Sequence, residues 1–215
     1  MVLGAQAPGR VGRRRFSRRA LRGPSSFLHT PHVLLTDEVV TLRRFREGDV
    51  PRIVEACSDA DTARFIPLIP VPYGELEAKA YLQMTEQQWS TGERLPYAVA
   101  DRITDVLLGA IDISVGESGS VGYWIHPDTR GRGVATRALV LLSRWALTAG
   151  GVERLALTTH PENVASQRVA EKAGFVREGV LRAHIRFREG RRDSLLFSLI
   201  PSDLIRPEVG SDGGV

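Results

Sequence analysis

Apolar and polar positions along the chain follow two rhythms. Val39-Val40-Thr41-Leu42-Arg43 alternates with period two and is rich in β-branched residues, which predicts a strand. Glu47-Gly48-Asp49 ends it. Asp49 is placed to cap a helix running to about Ala56, with Pro51 in the first turn, where its missing N–H costs nothing. Pro67, Pro70 and Pro72 predict a loop. Glu75 to Trp89 reads as a helix with Leu76, Ala80 and Met84 along its apolar stripe. Three strands follow, Tyr97 to Ala100, Val106 to Ser114 and Ser120 to His126. The turns between them, at Thr104-Asp105 and Gly116 to Gly119, are short, which predicts an antiparallel meander.

A second helix pattern runs from about Gly131 to Ala149, with Val134, Ala138, Leu141 and Trp145 on one stripe and Arg137 and Arg144 on a polar face. Gly150-Gly151 ends it. Arg154 to Thr159 is an apolar strand, and Asn163 to Ala173 a further helix. Gly174 is placed to stop that helix in the left-handed conformation, with Phe175 packing back. Phe175 to Val180 and Asp193 to Ile200 read as a final strand pair. The order of elements predicts an α/β (α+β) fold, a mostly antiparallel sheet entered by a strand–helix–strand–helix section.

Composition narrows the function classes. Of 215 residues, 42% are hydrophobic and 25% charged, the balance of a globular protein. No run of about 18 apolar residues marks a membrane-spanning helix. The single cysteine, Cys57, excludes an intramolecular disulfide and a multi-cysteine zinc site, and the five histidines (His29, His32, His126, His160, His184) show no ligand spacing, so no metal is expected. The net charge of +4 belongs to one end. Residues 1–36 hold seven arginines, from Arg10 to Arg22, and no acid. Four readings of this leader stay open: a degenerate twin-arginine signal, a transit peptide, an arm that neutralises phosphates on nucleic acid or the ribosome through residues 10–22, or a disordered extension. Residues 1–32 are set apart as a basic leader, 33–205 as the folded domain and 206–215 as a flexible tail.

The chemistry concentrates in Gly122-Tyr123-Trp124-Ile125-His126-Pro127-Asp128-Thr129-Arg130-Gly131-Arg132-Gly133-Val134-Ala135, where a strand runs through a Gly-rich turn into a helix. The first N–H groups of a helix lack backbone partners and sit at its positive dipole end, so this turn is an anion cradle suited to a phosphate or pyrophosphate. Arg130 and Arg132 add mobile positive charge. The Walker pattern is absent. Gly131-x-Gly133-x-x-Thr136 is two-thirds of a dinucleotide fingerprint, but the third glycine is missing and the strand sits in a meander.

Arg130-x-x-Gly133-x-Ala135 resembles the Q/R-x-x-G-x-G/A signature of the GNAT N-acetyltransferases. Asn163-Val164-Ala165-Ser166, followed by Glu171-Lys172-Ala173-Gly174-Phe175 and Glu178-Gly179, resembles the N-x-x-S…E-K-x-G-F-x-x-E-G block of the same superfamily. Gly122-Tyr123-Trp124-Ile125, the run Arg192-Asp193-Ser194-Leu195-Leu196-Phe197-Ser198-Leu199 and the opening Thr41-Leu42-Arg43-Arg44-Phe45-x-x-x-Asp49 look like its RimJ/RimL subgroup, whose emblem is acetylation of ribosomal-protein N-termini. The resemblance covers about residues 33–205.

It implies a GNAT-like acyl-CoA N-acyltransferase fold, with a mixed sheet of about seven strands splayed at the central strands and about four helices. It also implies acetyl-CoA as co-substrate, a cytoplasmic monomer or homodimer, and direct acyl transfer through a tetrahedral intermediate. The pantetheine arm would lie along Tyr123 to His126, with the Ile125 N–H polarising the thioester carbonyl. The pyrophosphate would sit on the amides of Gly131, Arg132, Gly133, Val134, Ala135 and Thr136. Ser166 is the candidate general acid for the departing thiolate, or else a first-turn serine bonded to local backbone. Asn163 is a pantetheine ligand, an N-cap, or both. Asp112, Glu93, His126 and His160 are the suspects for the base, beside a water relay. Trp89, Trp124 and Trp145 read as core, one of Tyr123 and Trp124 as a cleft wall, and Phe65 to Tyr73 as an acceptor-recognition loop. The acceptor is a primary amine, either a protein N-terminus or a small amine or antibiotic. The competing classes are a non-catalytic acyl-CoA- or RNA-binding module and a nicotinamide or flavin enzyme.

Overall fold

A computed structural model describes residues 33–67, 69–114 and 118–205, so the expected leader and tail, and part of the Gly116 to Gly119 turn, lie outside the described residues. Its core is one eight-stranded sheet: β1 (Leu35–Thr36), β2 (Val40–Arg43), β3 (Arg94–Asp101), β4 (Leu107–Ser114), β5 (Gly119–Ile125), β6 (Leu155–Thr159), β7 (Val176–Phe187) and β8 (Gly190–Leu199). Their spatial order is β1-β2-β3-β4-β5-β6-β8-β7. Every pairing is antiparallel except β5 with β6. The helices are α1 (Val50–Ser58), α2 (Ala60–Phe65), α3 (Glu75–Thr91), α4 (Val134–Thr148) and α5 (Val164–Lys172).

Strand alternation divides the core in two. Leu95, Tyr97 and Val99 of β3 and Ile111 and Ile113 of β4 pack with Leu139, Leu142 and Ala146 of α4 and Ala170 of α5. Ala98 and Ala110 face the other way, onto Val50, Ile53 and Cys57 of α1 and Ala78 of α3. One face thus carries α4 and α5, the other α1 to α3.

Two expected stripes are displaced. On α3, Leu76 and Met84 are 78% and 44% exposed. The inward stripe is instead Ala78, Tyr81, Leu82, Thr85 and Trp89, a mixture of sizes and polarities that hydrophobicity alone does not pick out. Thr85 tolerates burial because its hydroxyl donates to the Leu82 carbonyl (2.7 Å). On α4, Val134 and Ala138 are buried as expected, but Leu141 and Trp145 sit at the rim and Leu139 and Leu142 hold the centre. The final strand pair is a much longer hairpin than expected. β7 bulges between Leu181 and Ile185, where Ala183 takes φ 47°, and Asp193 accepts the Ala183 N–H (2.7 Å).

The expected cap of α1 by Asp49 is not made. Asp49 is 3% exposed, and its carboxylate receives both terminal nitrogens of Arg43 (2.8 Å each) and the Arg46 N–H (3.0 Å). Arg43 Nε donates to Asp105 (2.6 Å), so one guanidinium ties the start of α1 to β2 and to the β3–β4 turn. A bidentate arginine partner is a stronger claim on a buried carboxylate than a helix amide. Removing the cation while leaving Asp49 buried should cost about 3 kcal/mol. Urea unfolding of Arg43→Met at neutral pH is expected to show that loss, and an unfolding free energy within about 0.5 kcal/mol of wild type would refute it.

Candidate active site

β5 pairs with β6 only over Gly119 to Val121, opposite Leu155 to Leu157. On its other side β5 stays paired with β4 through Ile125. His126 N–H donates to the Leu108 carbonyl (2.8 Å), and antiparallel alternation turns the main chain of Trp124 and Gly122 toward β4 as well. The main-chain groups of Tyr123 and Ile125 therefore point into the gap beyond Val121. This is the splay expected at the central strands.

Each end of the gap opens into a cavity. The first, about 610 Å³, lies on the α4/α5 face and is lined by Ile125, Thr129, Arg130, Gly131, Gly133, Val134, Ala135, Thr136 and the first turns of α5. The second, about 440 Å³, is lined by Phe65 to Pro67, Tyr81, Arg94, Asp112, His160, Phe187 and Asp193. Both share Tyr123, Trp124, Asn163 and Ser166.

Gly131 and Gly133 adopt φ 76° and 78°, the left-handed region that glycine tolerates. They lift the chain so that α4 begins at Val134 with its first amides unpaired and aimed at the cavity. Thr129, buried below, anchors the turn by donating to the carbonyls of Leu108 (3.1 Å) and His126 (3.0 Å). Arg130 is not the mobile cation expected here. It is clamped on α2, donating to Asp59 (2.5 Å) and Thr62 (2.7 Å), with Asp61 at 3.5 Å. Arg132 is exposed and outside the lining. Positive charge comes instead from Arg168 and Lys172 of α5; the linear pattern marked Lys172 only as part of the family block and gave neither residue a charge role.

His126 does not enter either cavity. Its ring is buried on the α1 side, with Nδ1 2.6 Å from Asp128 and Nε2 3.1 Å from Glu55, because strand alternation places it on the same face as Trp124. Glu93 is exposed and lines neither cavity. His160 reaches the second cavity, but its Nδ1 accepts the Glu162 N–H (3.2 Å) while its ring sits between Phe65 and Phe187. Asp112 lies in that cavity, with Oδ1 paired to Arg94. Burial pushes its carboxyl up to about 6, and the Arg94 cation opposes the rise.

Asn163 caps α5, accepting the Ser166 N–H on Oδ1 (3.1 Å), and lines both cavities. Ser166 Oγ lies 2.9 Å from the Tyr123 hydroxyl, across the gap from α5 to β5. Burial drives the Tyr123 phenol up to about 12, against the pull of the Ser166 bond, so it stays protonated. Trp124 lines both cavities and so belongs to the site, while Trp89 is bonded to Pro96 O (2.7 Å) beside Tyr97 in the core.

The model of the family described as "Acetyltransferase (GNAT) domain" matches residues 40–176. The chain is 27% identical over 148 residues to the uncharacterized N-acetyltransferase YnaD of Bacillus subtilis (strain 168), covering 67% of this chain and 84% of that protein. Among solved structures, Mycobacterium smegmatis RimJ in complex with CoA-disulfide superposes with a TM-score of 0.71 at 23% identity, over 81% of this chain and 88% of that one. RimL, the ribosomal L7/L12 α-N-protein acetyltransferase in complex with coenzyme A, superposes with a TM-score of 0.70 at 17% identity, over 78% and 98%.

A methyl group added at Gly131 or Gly133 would meet nothing within 4 Å, so substitution there tests backbone conformation alone. Gly131→Ala and Gly133→Ala are each expected to lower unfolding free energy by about 1 kcal/mol. Gly48→Ala, equally open and without a left-handed φ, should not destabilise the protein. Equal midpoints for all three would contradict the left-handed turn.

Proposed function

Because the chain belongs to the GNAT acetyltransferase family, we propose that it transfers the acetyl group of acetyl-CoA directly to the primary α-amine of a protein N-terminus. The observation that carries this reading is the pair of cavities joined through the β5–β6 gap at Tyr123, Trp124, Asn163 and Ser166. The residues present fit the donor. The open amides at the start of α4, with Arg168 and Lys172 opposite, suit a pyrophosphate. The unpaired edge of β5 suits an extended amide-bearing arm, which it can bond as an added strand. The likeness to RimL supports a protein N-terminus as acceptor.

In this reading the Ile125 N–H, facing the gap, donates to the thioester carbonyl where negative charge develops. The amide nitrogen of Asn163 holds the arm. Ser166 gives its hydroxyl proton to the leaving sulfur, and Tyr123 holds that hydroxyl in place from across the cleft. The acceptor enters from the opposite face, between the Phe65–Pro67 segment and the β7–β8 hairpin. Positioning of donor and acceptor supplies much of the acceleration.

The test is thiol release from acetyl-CoA against peptides of varied N-terminus, free amino acids, polyamines and aminoglycosides. Cys57 contributes little background, since it is buried and its thiol is pushed up to about 11. Release that requires a peptide N-terminus supports the reading. Release with a small amine moves the protein to metabolite or antibiotic acetylation. Acetyl-CoA binding without release from any acceptor points to a binding module. Ser166→Ala is expected to lower kcat by about 100-fold with acetyl-CoA affinity within about twofold. Tyr123→Phe should give a smaller loss of kcat. Full activity in Ser166→Ala would remove the acid role.

A further inference from the structure

We infer that Asp112 is the group that takes the proton from the acceptor's ammonium, with Arg94 as its positioning partner. The inference rests on the acetyl-transfer reading above and adds the proton acceptor to it. Asp112 sits on β4 directly opposite Gly122 of β5, on the face from which the acceptor would arrive. Its two oxygens are differently employed. Oδ1 is held by Arg94 of β3. Oδ2 makes no hydrogen bond among the described residues and lies over the α-carbon of Gly122, where an added Cβ would come within 3.6 Å of it. Residue 122 thus sets no side chain against Oδ2, in the cavity that Tyr123 and Ser166 also line.

The other candidate proton acceptors are engaged or displaced. Asp193 lines the same cavity and likewise has one oxygen engaged, its Oδ1 accepting the Ala183 N–H (2.7 Å) to hold the β7 bulge, but it is exposed to solvent where Asp112 is part-buried. His160 spends Nδ1 on the Glu162 amide. His126 and Glu93 lie outside the lining. The titratable and charged groups facing Asp112 are Arg94 on β3 and Tyr81 on α3, with His160 and Asp193 across the cavity. Tyr81, half-buried, is driven by desolvation well above the usual phenol range and stays neutral. Arg94 is thus the one fixed cation against the carboxylate among the described residues. It keeps Asp112 ionised at neutral pH, while burial leaves the carboxyl basic enough to accept a proton there.

The protons balance as follows. The ammonium loses one proton to Asp112 Oδ2, which frees the nitrogen lone pair. Nitrogen attacks the thioester carbonyl carbon, forming the C–N bond, and the C–S bond breaks. The thiolate takes the proton of the Ser166 hydroxyl, which is restored by the second proton leaving nitrogen. The amide keeps one hydrogen, coenzyme A leaves as the thiol, and Asp112 returns its proton to water through the open end of the cavity.

Asp112 serves as base only when ionised, so kcat/KM should fall as pH drops through about 6. The experiment is a pH profile of kcat/KM from pH 5 to 9, using a peptide with a free N-terminal serine or, failing turnover, the most active amine of the panel. Acetyl-CoA affinity is measured in parallel on the same variants. Asp112→Asn is expected to lower kcat/KM by roughly 100- to 1,000-fold and erase the limb near 6, with acetyl-CoA affinity within about twofold. Asp112→Glu should restore part of the rate and the limb. Arg94→Gln should move the limb to higher pH, because the opposing cation is gone. In the free enzyme, carboxyl carbon NMR should show one aspartate titrating near 6 that disappears in Asp112→Asn. An active wild type whose Asp112→Asn variant keeps its rate within about threefold and its limb unchanged would overturn the inference alone. A wild type that binds acetyl-CoA but releases thiol with no amine would overturn the transfer reading, and this inference with it.

Discussion

The site depends on one main-chain constraint: β5 cannot be fully paired on both sides. It is paired with β4 from Ser120 through Ile125, but with β6 for only three residues. Backbone amides and carbonyls in a protein interior are almost always satisfied. A run of strand with one side open inside a sheet is therefore a standing demand for a partner. In the acetyl-transfer reading, the widening between β5 and β6 answers it by letting an extended ligand in from the side.

That opening also explains why the polar groups divide as they do. Side chains alternate across the sheet, so Tyr123 reaches Ser166 on α5 while Asp112 and Trp124 face α1 to α3. The gap is the place where groups from both faces come within reach of one another. Asn163 works on both levels, fixing the first turn of α5 with its oxygen and lining both cavities. The cradle and the hydroxyl pair are thus held by helix starts, α4 and α5, whose positions follow from the strands that precede them.

Much of this was legible in the residues. Gly131 and Gly133 announced a Gly-rich turn opening a helix, Gly174 a left-handed helix stop, and the short polar turns a meander; all are present. What could not be read were choices made by distant partners. Asp49 is a good cap by type, yet Arg43 claims it. Arg130 looks like a phosphate cation, yet Asp59 and Thr62 hold it on α2, a six-residue helix too short and polar for periodicity to reveal. His126 sits at the right strand end but on the wrong face. Tyr123 meets Ser166 only because α5 brings the two hydroxyls within 2.9 Å. The stripe on α3 failed for a related reason, since Ala78 and Thr85 are buried by neighbours rather than by their own hydrophobicity.

The unpaired stretch of β5 has a bearing on self-association. Open strand edges are templates for aggregation, and sheets usually shield them at their rims. Here the outer rims are shielded by ordinary means. β1 is two residues long, and β7 carries Arg177, Glu178, Arg182 and Arg186 and is bent by the bulge at Ala183. The remaining edge lies in the middle of the sheet, between β5 and β6, flanked by α5 and the segment after α2. Another chain cannot lay a sheet against it, because β6 already occupies the next position. The molecule keeps a reactive backbone edge available while denying it to fibril growth.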